Sequence, residues 1–334
     1  MTPEDRSRLP FYDALVNELE ADDTSLDLLA GVPVEHRNPM LVLAALQLAS
    51  FRGHDVLTAI YDAVRRGDVI DHASAAARVV GVVREEPELV RHELHRYTQT
   101  NEPGRSAVLQ AVVARLGERH PGPVNLVDVG TSAGINLFLD RFRVTSSDDG
   151  DPLTLVCHDL GGVDRALPVP AIASRVGIDI APLDLTDADD RLWLESCLWP
   201  EERRRQRRLE AIAEVWPSWP AIDVLVGTAV QRLDDALAIG SSTRLTIVVN
   251  TWAAFYFSKE DQHAYYEMMR ERCATANVAW VSVESPYGID WPAPPTVSVP
   301  PRSGGTHILV TEPGGVPTSW GWCHHHGHWL WLDS

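Results

Sequence analysis

The sequence VDVGTSAGIN at residues 127–136 decides the fold of this chain. An apolar run that begins at Val124 stops at Gly130, small residues follow as far as Gly134, and an apolar segment resumes at Ile135. This order predicts a buried strand, a tight turn and a helix, because glycine permits sharp turns and a close approach of the backbone to a ligand. A helix N-terminus also offers unpaired N–H groups. We therefore expect a ligand-binding turn at the tip of a parallel strand.

Strands and helices alternate through the rest of the chain. Further strands are predicted at residues 175–180, 222–226, 245–249, 278–284 and 307–311, with a last one at about 326–332. Such alternation predicts parallel βαβ units in an open, doubly wound sheet. Five parallel strands closed by a C-terminal β-hairpin match the class I methyltransferase sheet, an α/β fold of the Rossmann-like type. Residues 144–172, between the first two strands, are predicted to be an insertion.

The first 120 residues have a helical pattern, and no strand is predicted among them. Capping residues precede prolines at Thr2-Pro3 and at Asn38-Pro39, which is typical of helix starts. We expect two domains. An all-helical N-terminal domain at residues 1–120 would cap the site or hold the substrate, and a Rossmann-like methyltransferase domain would occupy residues 121–334.

The amino-acid composition and net charge restrict the classes of function that we expect. The 334 residues are 45% hydrophobic and carry a net charge of −18, which is typical of a globular protein but argues against nucleic acid as a partner, since phosphate binding needs lysine and arginine. No apolar run reaches the length of a membrane span, and no signal peptide is recognisable, so no membrane partner is expected. The four cysteines form no CxxC pair, which favours the reducing cytoplasm.

The turn matches the D/E-x-G-x-x-x-G motif of methyltransferases through Asp128, Gly130 and Gly134. Together with Ser132, these residues are predicted to bind the methionine part of S-adenosyl-L-methionine. The alternative is a glycine turn that joins a strand to a helix without binding anything.

Two further cofactor contacts are predicted where the next strands end. Asp179 ends the second strand, where an acidic residue can accept hydrogen bonds from ribose hydroxyls. It lies 45 residues after Gly134, against about 20 in a compact unit, and the alternative is that it caps the following turn. Thr228 follows the third strand, where methyltransferases often carry an acid that contacts adenine, and its hydroxyl is predicted to take that place.

Polar and aromatic residues follow the fourth predicted strand. Asn250 is expected to be a catalytic residue that hydrogen-bonds the substrate or the cofactor, while Trp252 and Tyr256 are expected to bind the substrate by stacking on it. The alternative is a polar strand end above an ordinary aromatic core.

Residues 97–105, YTQTNEPGR, are dense in hydrogen-bonding groups. Tyr97, Asn101 and Arg105 are predicted to bind the substrate, and Glu102 is predicted to act as a general base if burial raises its pKa. The alternative is a capped helix start with an exposed arginine.

The histidine-rich sequence HHHGH at residues 324–328 raises the hypothesis of a metal-binding site. A strand would place His324, His326 and His328 on one face. No second cluster of ligands accompanies them, so no metal is expected. His326 is predicted instead to contact the substrate.

Two rival functions share the same turn. It matches G-x-S-x-G, the nucleophile elbow of serine hydrolases, with Ser132 as the nucleophile. That fold requires strands before the elbow, where this sequence has a helical pattern. A nicotinamide-binding domain usually has G-x-G-x-x-G, and Ser132 occupies the position of its second glycine.

Several motifs together resemble a bacterial family named for domain of unknown function 2332. They are TNEPGR at residues 100–105, DVGTSAGIN at 128–136, GIDIAPLD at 177–184, RLWL at 191–194 with Trp199-Pro200, and His326-Gly327 before Trp329. The resemblance covers most of the chain from about residue 10. It implies a Rossmann part similar to class I methyltransferases and supplies no substrate.

The leading hypothesis is therefore an S-adenosyl-L-methionine-dependent methyltransferase that acts on a small molecule. The first alternative is a non-catalytic ligand-binding protein on a methyltransferase scaffold, since a fold does not fix a function. The second is a serine hydrolase that uses Ser132.

Overall fold

The computed structural model describes residues 8–33, 37–286, 289 and 305–333. The chain forms two compact units, which we call the helical unit (Met1–Thr100 with Leu183–Ser218) and the sheet unit (Asn101–Pro182 with Trp219–Ser334). The predicted boundary at residue 120 differs from this division. The helix that precedes the first strand belongs to the sheet unit, and a later segment returns to the helical unit because its residues pack into the helical core.

The helices are α1 (Pro10–Glu20), α2 (Asp23–Ala30), α3 (Pro39–Phe51), α4 (Asp55–Arg66), α5 (His72–Glu85), α6 (Glu88–Arg91), α7 (Arg105–Arg119), α8 (Ala188–Ser196), α9 (Arg203–Val215), α10 (Ala229–Ile239) and α11 (Lys259–Thr275). The strands are β1 (Val124–Val129), β2 (Arg143–Thr145), β3 (Thr154–Val156), β4 (His158–Asp159), β5 (Ile172–Asp179), β6 (Asp223–Val226), β7 (Thr246–Thr251), β8 (Val278–Glu284), β9 (Gly305–Thr311), β10 (Thr318–His324) and β11 (Trp329–Leu332).

Helix α3 forms the centre of the helical unit. The predicted cap is confirmed, because the Asn38 side chain accepts a hydrogen bond from the N–H of Met40 and proline occupies the first turn. Every residue from 41 to 50 is buried. Gln47 donates from Nε2 to the carbonyl of Leu198 at 2.6 Å, and Trp193 is buried in the same core. These contacts explain why residues 183–218 join the helical unit.

In the described part of the chain, no single helix is long and apolar enough to cross a membrane. The pair α3 and α4 meets both criteria only when taken together, across a bend of 99°.

A nine-stranded, mostly parallel sheet organises the sheet unit, in the order β4-β11-β10-β9-β8-β7-β1-β5-β6. The neighbours from β6 to β8 are all parallel, as the alternating pattern predicted. The chain leaves β1 in one direction for β5 and β6, and in the other for β7 and β8. The order of strands therefore reverses between β1 and β7, which is where open α/β sheets bind ligands. Helices α10 and α11 cover one face with an apolar core.

The segment after β1 is less regular than predicted. A helix was expected over residues 135–143, but Ile135–Arg141 is a 3₁₀ helix with a non-helical kink at Phe138. Its aromatic ring packs at 4.7 Å from that of Trp219. The predicted insertion contains β2 and β3, which form a separate two-stranded sheet, and β4, which joins the edge of the large sheet.

The C-terminal strands correct the sequence analysis. Instead of a two-stranded hairpin, the antiparallel strands β9, β10 and β11 extend the sheet beyond β8. The predicted start of the last strand at residue 326 was wrong, since β11 begins at Trp329. Strand β10 was not predicted, because Gly321 interrupts it with a φ of 144° and a shift in register. The helix start at Thr2-Pro3 and most of the proline-rich loop at 286–302 lie outside the described residues.

Candidate functional site

The turn between β1 and the 3₁₀ helix, residues 130–134, is the first part of the candidate site, and we call it the glycine turn. Gly130 and Gly134 have φ values of 76° and 80°, in the left-handed region that favours glycine. A Cβ on Gly130 would lie 2.4 Å from that of Ala253, and one on Gly134 would lie 2.4 Å from Cδ1 of Ile222. Both glycines are therefore required by conformation and by packing, whatever the turn binds.

Asp179, at the tip of β5, contacts this turn directly. Its Oδ2 accepts the backbone N–H of Ser132 at 2.8 Å, and its Oδ1 accepts that of Ala181 at 2.9 Å. The structure therefore brings together the glycine turn and the acid that the sequence analysis assigned to one cofactor. The alternative function, a cap for the following turn, is also present in the contact with Ala181. Each carboxylate oxygen retains a further lone pair for a ligand.

Two residues other than glycine have positive φ, Ser132 at 54° and Trp252 at 55°. They follow β1 and β7, the strands between which the strand order reverses. Such backbone conformations cost about 1–3 kcal/mol each and concentrate at functional sites. Ser132 is also 5% exposed, and its Oγ has no hydrogen-bond partner among the described residues. A strained, buried hydroxyl at this place makes the turn a candidate ligand site.

Asn101 and Arg105, both predicted to bind the substrate, hold the loops of the site together. Asn101 accepts the N–H of Ile135 at Oδ1 and donates from Nδ2 to the carbonyl of Thr131, each at 3.1 Å. Arg105 donates to the carbonyl of Thr251 at 2.8 Å and to that of His325 at 3.0 Å. Asn101, which precedes α7, thus supports the glycine turn. Arg105, the first residue of α7, supports the end of β7.

Asn250, predicted to be catalytic, is fully buried in a polar network. Its Oδ1 accepts from Trp280 Nε1 at 2.7 Å and from the hydroxyl of Tyr265 at 3.2 Å. Its Nδ2 donates to Ser282 Oγ at 3.0 Å and to Glu284 Oε1 at 2.7 Å. All four hydrogen-bonding positions of the amide are filled by protein. The structure thus gives Asn250 a supporting role, behind the strand tips.

Glu284 is a residue of the candidate site that the sequence analysis missed. Its Oε1 accepts the N–H groups of Ala253 and Ala254, both at 3.0 Å, as well as that of Asn250. It thereby fixes the loop that follows Trp252. Glu284 ends a predicted strand, but nothing in its own neighbourhood of sequence indicates that it binds a loop 30 residues earlier.

Burial dominates the electrostatics of the site. The pKa of Asp128 is raised to about 7: burial raises it most, the hydroxyl of Thr131 and the charge of Arg105 lower it, and nearby Asp179 raises it. Burial likewise raises the pKa of Glu284, although three hydrogen bonds to its carboxylate oppose the shift. Near neutral pH, Asp128 can therefore exchange a proton.

Glu102 and His326 lie side by side, as a candidate base and its neighbour. Glu102 is 2% exposed, its Oε1 accepts the N–H of Gly104 at 2.9 Å, and its Oε2 lies 3.8 Å from His326 Nδ1. The backbones of Gly104 and Gly327 approach so closely that a Cβ on Gly104 would lie 2.2 Å from the carbonyl oxygen of His326. This contact seats the histidines against the start of α7.

The histidines do not share a strand face as predicted. His324 ends β10, and the residues from His325 to His328 form the turn to β11, so the expected alternation is absent. Instead, the ring of His324 stacks on those of His328 and His325, with centroids 4.4 Å and 4.2 Å apart. Within the described residues, no three His, Cys, Asp or Glu side chains converge as metal ligands.

The remaining predicted residues are placed differently. Thr228 caps α10, accepting the N–H of Gln231 at its hydroxyl, in a reciprocal capping box. Tyr97 belongs to the helical unit, where its carbonyl accepts the indole N–H of Trp193 at 3.0 Å. The side chain of Tyr256 is exposed, next to Trp252 and Phe255.

Exposed apolar side chains also mark the carboxyl-terminal edge of the sheet. Ile180 follows Asp179 and is 48% exposed, while Val226, at the end of β6, is 57% exposed. Asp179 and Val226 are partners in register, so the two apolar side chains flank the acid. Large exposed apolar side chains grouped at a strand edge are a common feature of ligand sites. From the sequence alone, only the proximity of these two residues to Asp179 could have indicated that they belong to the site.

These features define the class of the protein as mixed α/β, with N-terminal helices and a large, mostly parallel sheet. Polar and strained residues lie at the ends of its strands, where the strand order reverses. The chain belongs to the family described as "Uncharacterized protein conserved in bacteria (DUF2332)", whose sequence profile matches residues 2–331. This confirms the resemblance inferred from the motifs. No curated protein and no solved structure matches the chain.

Proposed function

We propose that this protein is an S-adenosyl-L-methionine-dependent methyltransferase that acts on a small molecule. The observation that carries the proposal is the contact between Asp179 and the N–H of Ser132, at 2.8 Å. It unites the acid after β5 and the glycine turn after β1 beside the reversal of strand order. A nucleoside that carries an amino-acid tail needs those two features next to each other.

The cofactor would lie across the tips of β1, β5 and β6. Its ribose hydroxyls would donate to the lone pairs that Asp179 keeps beyond its two backbone contacts. Its adenine would lie between the exposed side chains of Ile180 and Val226, with Thr228 nearby at the start of α10. The methionine part would meet the glycine turn, where the buried Ser132 hydroxyl is available to it.

Methyl transfer is an in-line displacement, so positioning and exclusion of water contribute most of the rate. When bound, the cofactor would supply its methyl group to a lone pair of the acceptor and would depart as a neutral thioether. The proton of an acceptor O–H or N–H would pass to Glu102 or His326, whose carboxylate and ring lie 3.8 Å apart. The net charge of −18 favours a small molecule over a nucleic acid as the acceptor.

Titration calorimetry with S-adenosyl-L-methionine tests the proposal. The unchanged protein should bind it, and Asp179→Ala should weaken binding by about ten- to a hundredfold, the cost of losing a hydrogen-bonded charged acceptor. Asp184→Ala, five residues further along and exposed, is the matched control and should leave binding unchanged. Circular dichroism should show both variants folded. Absence of binding, or equal binding by Asp179→Ala, would overturn the proposal.

A non-catalytic binding protein would differ in one measurement. It would bind S-adenosyl-L-methionine through Asp179, yet transfer no methyl group to any acceptor of a chemically diverse panel, as followed with a methyl-labelled cofactor. Methyl transfer to any member of the panel excludes this alternative.

A further inference from the structure

We propose that Trp252, Phe255 and Tyr256 form a binding site for an alkylammonium group, and that the methyl acceptor carries such a group. We call these three side chains the aromatic corner. The statement about the acceptor rests on the proposed function, whereas the statement about ammonium binding does not. The side chains of Phe255 and Tyr256 are 43% and 64% exposed.

The planes of the three neighbouring rings are steeply inclined to one another. The centroids of Trp252 and Phe255 lie 6.1 Å apart with a 50° angle between planes, and those of Phe255 and Tyr256 lie 5.6 Å apart at 89°. The ring of His325 lies 6.1 Å from Trp252 at 64°. A flat ligand could stack on one of these rings only. A compact, rounded cation can contact the faces of two neighbouring rings together, which is how aromatic cages bind ammonium groups.

The backbone beneath the corner is held rigidly by buried side chains. Glu284 accepts the N–H groups of Ala253 and Ala254, both at 3.0 Å. Gln262 donates from Nε2 to the carbonyl of Ala254 at 3.0 Å. Trp252, in its strained conformation, donates its indole N–H to Thr306 Oγ1 at 3.2 Å. A preorganised loop with outward-facing rings loses little entropy on binding, which favours a recognition surface.

Charge favours a cation at this place. Negative residues outnumber positive ones by 47 to 29 along the chain, so the protein attracts cations over long range. Closer to the corner, the acidic residues Glu260 and Asp261 outnumber Lys259 in the first turn of α11, which follows the loop. The faces of the rings add the negative side of their quadrupoles. Each of these contributions attracts an ammonium group.

The test compares choline with 3,3-dimethyl-1-butanol, its neutral analogue in which carbon replaces the ammonium nitrogen. Binding to the full chain, without any cofactor, is followed by ligand-observed nuclear magnetic resonance titration. Choline should bind about tenfold more tightly than the neutral analogue, and Phe255→Leu and Tyr256→Leu should each remove most of that preference while keeping apolar area. Val316→Ala, which alters another exposed apolar residue of the sheet unit, is the control and should change nothing.

Equal binding of the two probes, tighter binding of the neutral one, or no choline binding would overturn the inference. So would a preference for choline that survives both leucine variants. Because these titrations contain no S-adenosyl-L-methionine, the two proposals fail separately. Cofactor binding without choline binding removes only the ammonium site, and choline binding without cofactor binding leaves the site but removes the methyltransferase.

Discussion

The backbone N–H of Ser132 donates to Oδ2 of Asp179, which fastens the tip of β1 to the tip of β5. Since Ser132 has a φ of 54°, the bond also holds a strained residue in place. A ligand that contacts either residue is therefore positioned relative to both. The candidate site is best regarded as one preorganised edge, assembled by side chains that bond to backbone groups of neighbouring loops.

The first prediction concerns Asp128 and pH. Its pKa in the folded protein is about 7, against 3.8 ordinarily, so the folded state binds the proton more tightly. The contribution of Asp128 to stability is thus fully present below about pH 4 and is lost as pH rises through 7. Asp128→Asn removes this loss, and between pH 5 and pH 8 its free energy of unfolding should gain about 2 kcal/mol relative to the unchanged protein.

Urea denaturation at the two pH values measures this difference. Asp189→Asn, at an exposed carboxylate in the first turn of α8, is the matched control. A difference for Asp128→Asn that is constant with pH would contradict the prediction.

The second prediction compares two glycines with similar φ. Gly130→Ala places a Cβ 2.4 Å from that of Ala253, whereas Gly314→Ala meets no atom within 4 Å, with φ values of 76° and 71°. The Gly314 variant should lose about 1 kcal/mol of unfolding free energy from the left-handed conformation alone. The Gly130 variant should lose about 3 kcal/mol or more because overpacking adds to it. Equal losses, measured by urea denaturation, would show that the loops after β1 and β7 do not touch.

The third prediction tests the supporting role of Asn250. Asn250→Ala leaves the buried donors of Trp280 and Tyr265 without their acceptor and should cost about 3 kcal/mol. Ser282→Ala removes a single acceptor from the same network and should cost about 1 kcal/mol. Thermal and urea unfolding measure both. If Asn250→Ala is as stable as the unchanged protein, the residue is free for the catalytic function that its position after β7 suggested.

The fourth prediction addresses the hydrolase alternative. Within the described residues no strand precedes β1, and no histidine hydrogen-bonds to Ser132 Oγ. A nucleophile elbow needs an activating base and a donor from an earlier strand's loop. A fluorophosphonate probe should therefore leave Ser132 unlabelled, as followed by intact-protein mass spectrometry beside an active serine hydrolase. An adduct that disappears in Ser132→Ala would support the hydrolase.

The sequence predicted those parts of the fold that depend on local pattern. Strands β1 and β8 have the predicted bounds, Val124–Val129 and Val278–Glu284. Each is rich in apolar residues and buried along its whole length, as expected for strands covered on both faces. Asn38 caps α3 as predicted, because capping is a contact between residues two apart. Strand β10 escaped prediction, since Gly321 breaks its pattern.

The candidate site was predictable only where its residues lie within motifs. The glycine turn and Asp179 do lie together, as the motif and the strand order indicated. The environment of Asn250 was not predictable, because its four partners come from β8 and α11, up to 34 residues away. Glu284 was missed for the same reason. Tertiary contacts of this range leave no periodicity or spacing in the sequence.

The helical unit is made of two stretches that are far apart in the chain, Met1–Thr100 and Leu183–Ser218. Trp193, which fills its core, is translated about 90 residues after the first stretch ends. During synthesis the apolar surface of the early helices therefore stays uncovered until β1, β5 and the second stretch have left the ribosome. A fragment ending at residue 120 would remain in that incomplete state, so the N-terminal helices cannot be separated as an autonomous module by cutting the chain once.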